Sequence, residues 1–214
     1  ALQQELEDLA KAYHKDAAKL SRERAKAAKS LIAKTGDVLH TLAMADCRFA
    51  IALTPRESDA PHPHGAEDIE FLISTNPGGA PQPLGKIASG GELSRISLAI
   101  QVVTAKGGTL PSMVFDEVDV GIGGAVAEVV GRLLRGLASD AQVLCVTHLA
   151  QVASQGHRHL LVSKTSDKTA AWARLAALED EQRTQEIARM LGGVKLTERS
   201  LEHAREMLRD AEDA

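Results

Sequence analysis

Apolar side chains at Leu2, Leu6, Leu9, Tyr13 and Leu20 alternate by fours and threes through Asp16, on a background of Ala, Lys and Glu without proline. That spacing predicts one long helix over residues 1–42, with Gly36 the single breaker inside it. The seam is that of a left-handed coiled coil, with Asp16 its one poor fit; an amphipathic helix laid on a domain fills the same positions. The period then shortens to two. Residues 47–53 and 68–73 alternate as strands around a loop rich in Pro, His and Gly, and the prolines of 76–83 exclude helix or central strand. Further on, helices are predicted over 92–104, 124–137 and 149–154 and strands over 113–115, 142–146 and 159–163. Strands separated by helical runs imply an α/β layered core with parallel strands. Two closing helices, 181–191 and 198–209, are divided by Gly192-Gly193 as a stop and Thr197 as a cap.

Composition narrows the class. Of 214 residues, 44% are hydrophobic and only 2% aromatic, so Ala, Leu and Val do most of the packing. The formal net charge of −4 gives the chain as a whole no strong attraction for DNA or acidic membranes, while local basic patches remain compatible with it. Cys47 and Cys145 sit in apolar runs without Cys-x-x-Cys spacing and read as buried, reduced thiols. His62 and His64 have no cysteine or second pair at ligand spacing and read as a solvated loop. No apolar run reaches membrane-spanning length, and the charged N-terminal stretch is neither a signal nor a transit peptide, so a cytoplasmic protein is expected. The first helix starts at Ala1 without a cap or initiator Met, as expected of a piece of a longer chain.

Three stretches carry chemistry. Ser89-Gly90-Gly91 precedes the amphipathic run Leu93, Ile96, Ile100, Val103; exposed amides at a helix start attract an anion and glycines let it approach, although the same residues also make an ordinary turn and cap. Met113-Val114-Phe115 is an apolar strand delivering Asp116 and Glu117 at its carboxyl end, where open α/β sheets bind ligands. Neighbouring acids point different ways, so Asp116 suits Mg²⁺ or its water and Glu117 an attacking water; acids facing solvent are the plain alternative. Asp119 and the glycine-rich 120–124 follow at once. The strand 143–146 ends in Thr147-His148, whose imidazole can reach a phosphate oxygen or a water, or be merely structural. No Gly-x-x-x-x-Gly-Lys-Ser/Thr phosphate loop occurs. Gly85-Lys86 lacks it on both sides, with Ala80 in place of the first glycine and Ile87 in place of Ser/Thr, and Pro81 and Pro83 spoil a cradle of amides.

In this order the segments 84–95, 115–122 and 146–153 resemble ABC-type ATPases of the chromosome-maintenance (SMC) and recombination-repair class. The resemblance implies the C-terminal lobe of an ATPase head, with a layered, mostly parallel sheet and flanking helices over residues 43–214, preceded by a coiled-coil stub over 1–42. It implies ATP and Mg²⁺ as cofactors. Ser89, Gly90, Gly91 and Glu92 would be the signature motif contacting ATP held by a second head, and Asp116 the acid supporting Mg²⁺. Glu117 would be the catalytic base, Asp119 part of a turn crossing the dimer interface, and His148 the switch histidine. Glu92 stands where many transporters of the class carry Gln. The partners implied are the N-terminal ATPase lobe carrying the phosphate loop, a second head in a homodimer, and DNA, in a bacterial, nucleoid-associated protein of double-strand-break repair and recombination. The chain alone is expected to be inactive. A head lobe serving chromosome structure, or a non-catalytic dimerisation scaffold, fits the same sequence less fully.

Overall fold

The computed structural model describes residues 2–58, 60–87, 89–105, 110–166, 171–192 and 196–213. Its contacts divide the chain into two units, Ala1–Ser89 and Gly90–Ala214.

In the first unit α1 runs unbroken over Leu2–Thr41, through Gly36. Its end is set by backbone geometry: Ala43 takes φ 56° and the Met44 amide reaches back to the Leu39 carbonyl at 3.1 Å, a six-to-one closure that satisfies an orphan helix carbonyl. Leu39 and Leu42 are fully buried at this end, whereas Leu2 at the other is 83% exposed. Strands β1 (Arg48–Pro55) and β2 (Glu67–Ser74) pair antiparallel, with Phe49 opposite Ile73 and Ile51 opposite Phe71 on one face. Phe49 meets Phe71 edge to face at 5.4 Å. The proline-rich segment contributes the two-residue β3 (Gln82–Pro83), pairing with β2, and then the 3₁₀ turn Leu84–Lys86. Proline suits that edge because it has no amide to give a further strand. These three strands form a sheet of their own. Gly65, at φ 82°, passes so close to α1 that a Cβ would lie 3.0 Å from Leu20 Cδ2 and 3.1 Å from Arg24 Nη1.

The second unit alternates α2 (Gly90–Thr104), β4 (Ser112–Phe115), α3 (Gly124–Leu137), β5 (Gln142–Cys145) and the single turn α4 (Ala150–Ala153). β4 and β5 are parallel, Ser112 opposite Gln142 through Phe115 opposite Cys145. Among the described residues parallel pairing is confined to these two strands. β6 (Leu160–Ser166) pairs antiparallel with β7 (Ala171–Ala177), a strand the hydrophobic pattern does not announce. α3 buries Ala127, Val130, Gly131, Leu134 and Leu137, and Gly131 is needed because a Cβ there would lie 2.6 Å from Gln155 Cγ. α5 (Asp180–Gly192) and α6 (Glu198–Glu212) close a small core of Ala150, Ile187, Ala188 and Ala204. Thr197 caps α6 as predicted: its hydroxyl accepts from the Ser200 amide and Ser200 Oγ accepts from the Thr197 amide. Of the predicted stop, Gly193 lies outside the described residues.

Among the described residues nothing covers one face of the β4–β5 pair. Val114, opposite Leu144, is 70% exposed and Val146, next on that face, 60%. A parallel pair normally carries cover on both sides.

Candidate active site

The site forms where β4 and β5 end. Phe115 is buried and anchors the strand, so the next residues, Asp116 and Glu117, emerge at the surface. The chain then turns sharply. Glu117 adopts φ 57°, a left-handed conformation that costs a non-glycine residue about 1 kcal/mol or more and collects at functional sites. The fully buried Val118 pins the turn, and the Val120 amide closes it on the Glu117 carbonyl at 3.2 Å.

The start of α2 is locked onto this turn. Ser94 Oγ donates to the Asp116 carbonyl at 2.7 Å, and Arg95 Nη1 donates to the Val120 carbonyl at 2.7 Å. Burial pulls the Arg95 pKa below its ordinary value, with Glu92 opposing. Gly90 and Gly91 make the approach: a Cβ on Gly90 would lie 2.2 Å from Glu117 Oε2, and one on Gly91 3.1 Å from Val120 Cβ and 3.3 Å from the Glu117 carbonyl oxygen. The glycines of the first motif thus meet the second acid of the second motif within one unit.

The turn is fastened to β5 in the same way. Asp119 is 2% exposed, and its Oδ2 accepts from Thr147 Oγ1 at 2.5 Å and from the His148 amide at 3.1 Å. His148 Nδ1 lies 3.3 Å from the same oxygen, while the imidazole is 70% exposed. A carboxylate facing Nδ1 favours the tautomer that leaves Nε2 as an acceptor toward solvent. Cys145, half-buried just before this corner, has its thiol pushed up to about 12 by burial, then by Asp119 and Asp116, and stays protonated at neutral pH. Cys47 is likewise a free, half-buried thiol.

Of the predicted residues, Gly90, Gly91, Asp116, Glu117, Asp119 and His148 are brought together by these contacts. Ser89 is the last residue of the first unit and Glu92 lies in the first turn of α2. The sequence assigns no role to Ser94, Arg95 or Thr147, although each lies inside one of the three segments; their hydroxyl and guanidinium donors near the start of α2 and the end of β5 are the available signal. Asp116 suits a divalent cation: Oδ1 accepts the Glu117 amide at 2.9 Å, leaving Oδ2 for a metal or its water. Mg²⁺ commonly takes one protein carboxylate, with water and substrate phosphates filling its remaining positions. Among the described residues no group of three or more His, Cys, Asp or Glu could hold a metal by itself. The His62–His64 loop holds its own hydrogen bond, His64 amide to His62 Nδ1 at 3.1 Å. No helix among the described residues is long and apolar enough to cross a membrane.

No family model matches the chain. It is 48% identical over 201 residues to the DNA repair protein RecN of Xylella fastidiosa (strain 9a5c), covering 94% of this chain and 36% of that protein. It is 46% identical over 210 residues to the DNA repair protein RecN of Vibrio cholerae, covering 97% of this chain and 37% of that one. The fold is that of an SMC head: the Smc head domain with a coiled coil and joint from Pyrococcus yayanosii superposes with a TM-score of 0.53 at 17% identity, covering 74% of this chain and 28% of that structure. The chain spans little more than a third of the length of these relatives, and over that span it is similar to the DNA repair protein RecN.

Proposed function

We propose that residues 43–214 are the C-terminal lobe of an ATPase head and residues 1–42 the stub of its coiled coil, in a protein that couples ATP hydrolysis to DNA double-strand-break repair. The observation that carries this reading is the convergence of three motifs on one strained turn: Gly90 against the Glu117 carboxylate, Asp116 at the strand end, and Asp119 bound to Thr147 and His148.

Each residue has a role its surroundings suit. Glu117, exposed on a fixed backbone, orients and deprotonates the water that attacks the terminal phosphate, and His148 Nε2 accepts a hydrogen bond from that water. Asp119 holds the imidazole in register. Asp116 would support Mg²⁺, which when bound neutralises charge on the phosphates. Ser89, Gly90, Gly91 and Glu92 present backbone amides and the Ser89 hydroxyl to ATP held by a second head, and the Asp119 turn lies at the boundary with that head. The phosphate loop comes from the N-terminal lobe, and the uncovered apolar face at Val114, Leu144 and Val146 favours that lobe packing on the β4–β5 pair.

The test is reconstitution. The chain alone hydrolyses no ATP, and joining it to the N-terminal lobe of the same protein restores turnover. An associated pair of lobes without turnover would move the assignment to a dimerisation scaffold.

A further inference from the structure

Cationic side chains recur along α1 at Lys11, Lys15, Lys19, Arg22, Lys26 and Lys29, in steps of four, four, three, four and three. The helix is unbroken across them, and all six are exposed. At 100° per residue they fall within an arc of about 80°. The apolar seam of Leu2, Leu6, Leu9, Tyr13 and Leu20, with the buried Ala17 and Thr35, centres roughly 170° away on the other side of the helix. Whatever covers the seam therefore leaves the cations facing outward.

The charge is concentrated. Residues 11–29 hold seven Lys and Arg against two acids, Asp16 and Glu23. The net −4 of the chain is thus an excess of five positive charges here and nine negative charges elsewhere. Both acids lie outside the cationic arc. An ordinary solvated helix face interleaves opposite charges at i, i+4; here only two of the six cations have an acid at that spacing, Lys11 with Glu7 and Lys19 with Glu23. Among the described residues one of the six cations is paired, Lys11 with Asp8 at 4.0 Å.

We propose that this stripe is a binding surface for the backbone of duplex DNA, an inference that rests on the reading of the whole protein as one that acts on DNA. From Lys11 to Lys29 the helix rises about 27 Å, a straight row of charges facing a duplex that carries one negative charge per about 1.7 Å. Five of the six cations are lysines, point charges suited to phosphate, and residues 11–29 contain no Asn or Gln to read base edges. The arc contains no aromatic ring on which bases of a single strand would stack. Binding is accordingly electrostatic and indifferent to sequence.

The test uses the longer protein that carries this chain, with Lys15→Gln, Lys19→Gln, Arg22→Gln and Lys26→Gln combined; Gln preserves helix propensity. Duplex affinity is measured across a salt series. The slope of log affinity against log salt is expected to fall in magnitude by about 3.6, and affinity at about 0.1 M salt by about tenfold or more. Lys15→Arg, Lys19→Arg and Lys26→Arg together keep the parental slope. Parental slope and affinity in the Gln variant, with its helical circular dichroism intact, overturn the proposal, as does a loss confined to single strands. ATP turnover without DNA reports on the ATPase reading separately: its absence from parent and variant alike would sink that reading while the salt slopes still decide this one.

Discussion

The carboxylate of Asp119 is buried against Thr147, its Oδ2 accepting the threonine hydroxyl at 2.5 Å and the next backbone amide, that of His148, at 3.1 Å. One oxygen thereby ties the turn after β4 to the end of β5. Asp119→Ala leaves these donors without their acceptor, which costs about 1–3 kcal/mol for buried groups. Denaturant unfolding of the chain is expected to show that loss, and the reconstituted ATPase to lose turnover more than ATP affinity. An unchanged unfolding midpoint would contradict the assigned contact.

Gly90→Ala separates geometry from stability. The added Cβ would stand 2.2 Å from Glu117 Oε2, the far end of a flexible side chain that can swing aside cheaply. Unfolding is expected to shift by no more than about 0.5 kcal/mol, while turnover of the joined lobes falls because the displaced carboxylate no longer meets the water. Full turnover in the Ala variant would place Glu117 elsewhere during catalysis.

His159 makes the second unit sensitive to acid. Burial, reinforced by Arg183 and opposed by Glu186, holds its pKa below the ordinary 6.5, and Nδ1 is buried without a hydrogen-bond partner. As pH falls below about 6.5 the unfolded chain takes up this proton first, so stability present above that pH is lost toward the lowered folded-state pKa. His159→Gln is expected to flatten the decline between neutral and mildly acidic pH; an equally steep decline would assign it to other groups.

Cys145 should be nearly inert while the chain is folded. With its pKa pushed up to about 12 by burial, Asp119 and Asp116, its thiolate fraction at pH 8 is far below that of an ordinary cysteine at 9.0. Mass spectrometry after brief alkylation is expected to find Cys145 labelled rapidly only in denaturant; rapid labelling in the native chain would contradict the electrostatics described.

Much of this was legible in the residue pattern because single elements carry their own signals. The predicted 124–137 helix coincides with α3, whose apolar positions leave no other period, and Thr197 caps α6 as its neighbours imply. β7 went unread because Ala171, Ala173, Ala176 and Ala177 give too little contrast with Trp172 and Arg174 to mark alternation. The long helix ends at Thr41, just before Ala43 takes a left-handed conformation usually left to glycine, which sequence does not advertise. At the candidate site, the strand-end pattern puts Asp116, Glu117 and His148 forward as candidates, but the clamps from Ser94 and Arg95 to main-chain carbonyls depend on how α2 lies across the turn, a tertiary fact with no local signature.

The most direct test of the ATPase reading is single-turnover hydrolysis by the joined lobes with Glu117 intact and with Glu117→Gln, alongside ATP binding to each. Loss of general-base assistance is expected to slow hydrolysis by about 10²-fold or more while binding changes little. Hydrolysis at the parental rate by a Glu117→Gln protein that binds ATP normally would contradict the account.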